Sequence, residues 1–117
     1  MQREMPVHGE TRKLVNVPIE LLKMCEDELD AVRLCIQLSS FTHEYIGKEL
    51  SIDKGHFSRM MQGAAGFPTH KRVRLMELCG NRAPVQFEAM QIGCELIESK
   101  DAKIRHLEEQ LAAARAA

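Results

Sequence analysis

The sequence predicts an all-α chain: a compact five-helix domain followed by a C-terminal helix suited to self-association. Three observations carry this. Leu, Met, Ala, Glu and Lys are plentiful, whereas the aromatics number only four Phe and one Tyr, with no Trp, a balance that favours helices over a sandwich or barrel. Apolar residues recur at spacings of three and four along the chain. Pro, Gly, Asp, Ser and Thr punctuate those segments where helices begin and end. With 117 residues, 44% hydrophobic and 28% charged, the chain can bury one ordinary core, and two full domains would not fit comfortably.

Residues 1–15 carry Pro6, Gly9 and scattered charges without periodicity, and are expected to form a flexible arm. A helical domain is expected over 16–93. Pro18 suits a first helical turn, with Asn16 as a possible cap and Glu20 in that turn. Leu22, Cys25, Leu29, Val32 and Ile36 then recur at 3, 4, 3, 4, one face of a helix over 18–39 that would break, if anywhere, near Glu26. Thr42 can cap a helix over 43–50 by accepting from the backbone of Glu44 or Tyr45. Ser51-Ile52-Asp53 interrupts it, and Asp53 caps the next helix, 54–62, which stops at Gly63. After a loop through Phe67-Pro68, Thr69 is a candidate cap for a helix carrying Val73, Leu75, Met76 and Leu78, ended by Gly80. Pro84 opens the fifth helix, which holds Val85, Phe87 and Met90.

Residues 94–117 differ in kind. Ile97, Ile104 and Leu111 fall seven apart, with Leu107 and Ala114 at the companion position and charges around the seam. Ile97, Ile104, Leu107 and Leu111 are therefore the expected oligomerisation residues of a heptad-like helix, with Lys100 weakening the inward line. A surface helix packed on the domain would account for the same pattern.

Several function classes fall away. No apolar run of 18 residues is present, so no membrane partner is expected. The start of the chain has no hydrophobic segment of signal type, so a cytoplasmic protein is expected. Cys25, Cys35, Cys79 and Cys94 form no CxxC and are expected to act as small buried hydrophobes. There is no Gly-rich phosphate loop, HExxH helix or nucleophile elbow, and Ser39 and Ser40 beside His43 suit a turn and cap better than a hydrolytic pair. The histidines lack metal-ligand spacing. No enzyme activity, cofactor or metal is expected.

Net charge is −1, which by itself advertises no polyanion. Its distribution says more. Glu20 to Asp30 holds five acids and one base, whereas Asp53 to Met76 holds Lys54, Arg59, Lys71, Arg72 and Arg74 against Asp53 alone. A basic middle between acidic flanks points towards a polyanion, although an ordinary mixed surface would look similar.

Two helices of eight or nine residues separated by about three have the dimensions of a helix-turn-helix. Their steep crossing needs a small residue, and Gly47 supplies it. Ile46, Leu50, Ile52, Phe57 and Met60 fall at core-facing intervals, while Lys54, Gly55, His56, Ser58, Arg59 and Gln62 fall outside them.

The stretch Thr42 to Gly63 resembles the helix-turn-helix of phage repressor and Cro-like regulators. Ile52-Asp53-Lys54-Gly55-His56-Phe57-Ser58-Arg59 is particularly similar to the recognition segment of lambdoid CII-type phage regulators. Phe67-Pro68-Thr69, Leu78-Cys79-Gly80-Asn81 and Ala83-Pro84 extend the likeness, which covers roughly residues 29–93. One position departs from the pattern: Ser51 stands where the turn usually holds glycine.

This resemblance implies a lambda-repressor-like domain that binds a double-stranded DNA operator as a phage or prophage transcriptional regulator. The helix 54–62 would lie in the major groove. Lys54 and Arg59 would donate to guanine, His56 and Ser58 would read further base edges, and Gly55 would let the backbone come close. Thr42 and His43 at the preceding helix start, with Gln62, Lys71 and Arg72, would hold phosphates. The outward charges could instead be a solvated face, and His56 could simply pack beside the turn. One short recognition helix offers few base contacts, so a homodimer or homotetramer is expected. RNA polymerase is a further candidate partner. The competing reading is a helical protein–protein adaptor, or a phage inhibitor of a host factor, without specific DNA readout.

Overall fold

The computed structural model describes residues 12–116, apart from the side chain of Ala102. The chain is all-α. Among the described residues seven helices follow one another: α1 (Ile19–Leu22), α2 (Glu28–Ser39), α3 (His43–Glu49), α4 (Lys54–Met61), α5 (Arg72–Cys79), α6 (Ala83–Gln91) and α7 (Lys100–Ala116), with a 3-10 turn, Thr69–Lys71, leading into α5. The segment expected as one helix over 18–39 is two. The break spans residues 23–27, and Asp27 closes it by accepting from the Asp30 backbone N–H at 2.8 Å, so the acid run caps α2 instead of extending α1.

α2 is the central helix and packs on both α5 and α6. Its Ala31, Val32, Cys35 and Ile36 meet Ile46 of α3, Phe57, Met60 and Met61 of α4, Leu75, Met76 and Leu78 of α5, and Phe87 of α6 in one buried cluster. Two buried polar side chains are satisfied inside it. Ser39 donates to the Ile36 carbonyl and accepts from the Phe41 N–H. Asn81 donates to the Cys35 carbonyl and accepts from the Ala83 N–H, which ties the middle of α2 to the start of α6.

Residues 12–15 are fastened to the domain, which corrects the expected arm over that stretch; residues 1–11 lie outside the described residues. Arg12 donates from its backbone to the Glu77 carbonyl (2.9 Å) and from its guanidinium to the Ser39 carbonyl (2.9 Å), and its guanidinium lies 4.0 Å from the centre of the Phe41 ring. Val15 donates to the Gly80 carbonyl and accepts from the Arg82 N–H, making a single parallel bridge with Asn81. Gly80 permits this approach: its φ is 82° and a Cβ there would sit 2.8 Å from the Cβ of Arg12.

The cysteines divide. Cys35 and Cys79 are buried, Cys25 is half-buried, and Cys94 is exposed, contrary to the expected burial of all four; none is bridged. A hydrogen bond to Cys79, with burial, pushes the Cys35 thiol up and keeps it neutral in the core. Burial, and the carboxylates of Asp30 and Asp27, likewise push the Cys25 thiol up.

Thr69 opens the 3-10 turn and makes no side-chain cap to α5, against expectation. Gly93 (φ 76°) ends α6, and residues 94–99 carry no regular secondary structure before α7 begins at Lys100. Ile97 therefore lies outside the helix, which shortens the expected seam to Ile104, Leu107, Leu111 and Ala114. No described residue after Phe87 is buried. The C-terminal segment makes polar contacts with the domain: Asn16 donates to the Leu96 carbonyl at 2.8 Å and Arg82 lies 3.9 Å from Glu98 Oε1, which within the segment is 2.7 Å from His106 Nδ1. No helix of the described residues is long and apolar enough to cross a membrane.

Candidate nucleic-acid interface

The candidate site is the pair α3 and α4 with the turn between them. Thr42 starts α3 by accepting from the Tyr45 N–H at 3.1 Å. Ile46 and Gly47 turn inward. A Cβ on Gly47 would lie 3.5 Å from Phe57 Cγ and 3.6 Å from the Ile52 carbonyl oxygen, ordinary contact for a methyl and no room for more. This is the close approach of α3 and α4 that a small residue was expected to serve.

The turn is built from backbone bonds. Ile52 donates to the Gly47 carbonyl at 2.8 Å and Ser51 to the Lys48 carbonyl at 3.1 Å, the paired closure of a helix end that requires a left-handed residue between them. Ser51 is that residue, with φ 56°. The unusual serine therefore keeps the turn geometry that glycine would adopt at lower cost. Asp53 then caps α4, accepting from the His56 N–H at 3.3 Å. α4 closes in the same way as α3: Ala64 donates to the Arg59 carbonyl and Gly63 to the Met60 carbonyl.

α4 buries Phe57, Met60 and Met61 and leaves Lys54, Gly55, Ser58 and Arg59 exposed, with Gln62 just past its end. Lys54, Ser58 and Gln62, four apart, line one strip; Gly55 and Arg59 line the next. His56 is half-buried. The Arg59 guanidinium folds back along the helix, its Nη1 lying 3.5 Å from where a Gly55 Cβ would be.

Thr42 and His43 stand exposed at the start of α3, and the His43 ring meets Phe57 edge-on at 5.7 Å. Between α3 and α4 runs an open groove of about 640 Å³, edged by His43, Lys48, Lys54, Ser58 and Gln62 and floored by Ile52, Phe57 and Met61. Lys48 was not anticipated as part of this face. Its position in the last turn of α3 gave only a weak signal, because a basic residue there also suits the helix dipole. Glu44 lines the same groove, so Lys48 and Lys54 share it with an exposed acid.

Lys71 and Arg72, expected to hold phosphates, are engaged within the fold. Lys71 Nζ donates to the Leu50 carbonyl at 2.6 Å and to the Ser51 carbonyl at 3.3 Å, bracing the end of α3. Arg72 is mostly covered and pairs with Glu88 at 2.8 Å and Glu28 at 3.5 Å. A second brace comes from α2: Arg33 donates to the Met61 carbonyl from Nε at 3.0 Å and again from Nη2. The C-terminal ends of both helices are thus each held by a cation from elsewhere in the domain, which fixes how α3 and α4 present their outer sides.

No family model, curated protein or solved structure matches this chain.

Proposed function

We propose that the chain is a sequence-specific double-stranded DNA-binding transcriptional regulator, with α3 and α4 as its helix-turn-helix and α4 in the major groove. The observation that carries the reading is the exposed face of α4. Lys54, Ser58 and Arg59 project from a short helix capped by Asp53 and braced by Arg33. Gly55 leaves its backbone open, Gln62 stands exposed at the helix end, and the N-terminus of α3 lies beside it. Hydrogen-bond donors on a rigid rod are what reading base edges requires. Thr42, His43 and Lys48 then serve phosphates. Two copies act together, because one short helix gives too little discrimination against the excess of other sites. The likeness of residues 42–63 to phage repressor and Cro-like regulators, and of residues 52–59 to the recognition segment of CII-type regulators, supports the same reading.

The apolar floor of the α3–α4 groove favours one alternative, a protein adaptor that receives a partner side chain there. Selection of bound fragments from random duplex DNA at two salt concentrations separates the two. The regulator enriches a repeated half-site and loses affinity steeply with salt, at about −0.9 log units per log unit of salt for each phosphate neutralised. In the selected site, Lys54→Ala relaxes preference at one base pair, costing about 1–3 kcal/mol there, whereas His43→Ala weakens all sequences alike. Recovery of no motif, with equal losses for both variants, would leave the adaptor reading.

A further inference from the structure

We propose that α7 pairs in parallel with α7 of a second copy of this chain, and that Lys103 of each protomer against Glu108 of the partner subunit sets the register. The inference rests on the dimer in the reading above, but not on its contact with DNA.

α7 has 17 residues, about 25 Å of helix. One side, through Arg105, His106, Glu109, Gln110 and Ala113, lines a cleft against the domain. The other carries Ile104, Leu107 and Leu111, which are 45%, 65% and 52% exposed and stand outside the buried core. These residues, with Ala114, alternate at spacings of three and four. A β-branched residue at the first seam position and leucine at the second is the combination that favours two parallel strands.

The flanking charges choose the orientation. With Ile104 and Leu107 in the seam, Lys103 and Gln110 precede the first-type positions, while Glu108 and Arg115 follow the second-type ones. In a parallel pair the residue before one seam position meets the residue five further along the partner. Lys103 then meets Glu108, twice by symmetry, with no like charges opposed, while Gln110 stays on the side of the domain cleft. An antiparallel pair that keeps the apolar residues in register sets Leu107 against Leu111 and brings Glu108 against Glu108. Charge complementarity selects the parallel arrangement.

Two heptads make a reversible association, since so short a helix pair gains little from burial. Sedimentation equilibrium of the full chain without DNA tests it. The natural chain should show a monomer–dimer equilibrium in the micromolar range, and Leu107→Asp, at an exposed position, should leave a folded monomer. Lys103→Glu and Glu108→Lys should each weaken association about tenfold, and the two together should restore it. Leu107→Cys in a Cys94→Ser background should cross-link to its own counterpart under mild oxidation. A chain that stays monomeric at every attainable concentration, a Lys103→Glu variant that dimerises unchanged, or failure of the position-107 cross-link overturns the proposal. A dimer that behaves as described yet selects no DNA would overturn only the function proposed for α4.

Discussion

Ser51 holds φ 56° between α3 and α4 while its neighbours complete the backbone bonds that end α3. A side chain in that conformation costs about 1–2 kcal/mol, part of which glycine gives back through its greater freedom in the unfolded chain. Ser51→Gly should therefore stabilise the protein by about 0.5–1 kcal/mol and raise Tm by a few degrees, read by thermal denaturation. Gly47 sets the opposite limit. Gly47→Ala fits at 3.5 Å from Phe57 and gains helix propensity, whereas Gly47→Val should lower Tm by several degrees because the second methyls meet Phe57 and the Ile52 carbonyl. The caps Thr42 and Asp53 were legible in the sequence because each bonds three residues on, and the need for a small residue at Gly47 followed from two short helices joined by a short turn. The fastening of Arg12 to Glu77, Ser39 and Phe41 was not, since a bond across more than twenty residues leaves no periodicity to read.

Short helices are held by their ends, and α3 and α4 show how. Their first turns are closed by local caps, which sequence spacing reveals, and their last turns by Lys71 and Arg33, which it does not. A basic residue read along the chain looks the same whether its head turns to a carbonyl or to solvent; only the packing of α5 and α2 decides. For Lys71 the two roles separate experimentally. As a brace, Lys71→Met should cost about 1 kcal/mol of stability, the worth of a charge-assisted bond to a helix end, and leave the salt slope of DNA binding unchanged. As a phosphate contact it would reduce that slope by about 0.9. Arg33→Met should cost a similar amount and speed hydrogen exchange at Gly63 and Ala64, whose N–H groups bond to the last carbonyls of α4. The heptad of the last segment was legible in part: the spacing of Ile104, Leu107 and Leu111 falls within α7, whereas Ile97 shares the interval but lies in the irregular stretch after Gly93.

At the scale of the whole molecule, the domain closes on itself before α7 is reached. Its buried residues run from Val17 to Phe87, and the C-terminal segment adds the polar contacts of Leu96, Glu98 and His106 at its surface. The pairs that Glu98 makes with Arg82 and His106 are partly covered but few, so a chain ending at Gly93 should stay folded and lose only about 1–2 kcal/mol. Its DNA binding should change much more. Two α4 helices joined through α7 meet the second half-site at a high effective concentration, whereas separate domains must find each half-site from solution, a difference of about 10²–10⁴ in apparent affinity. The salt slope should fall by about half, because each bound unit then neutralises the phosphates of one protomer. Titration of a selected operator with the full and shortened chains, alongside their melting curves, checks both parts. Equal affinity with equal slope would mean that each protomer reads DNA alone, and α7 would have to serve another partner.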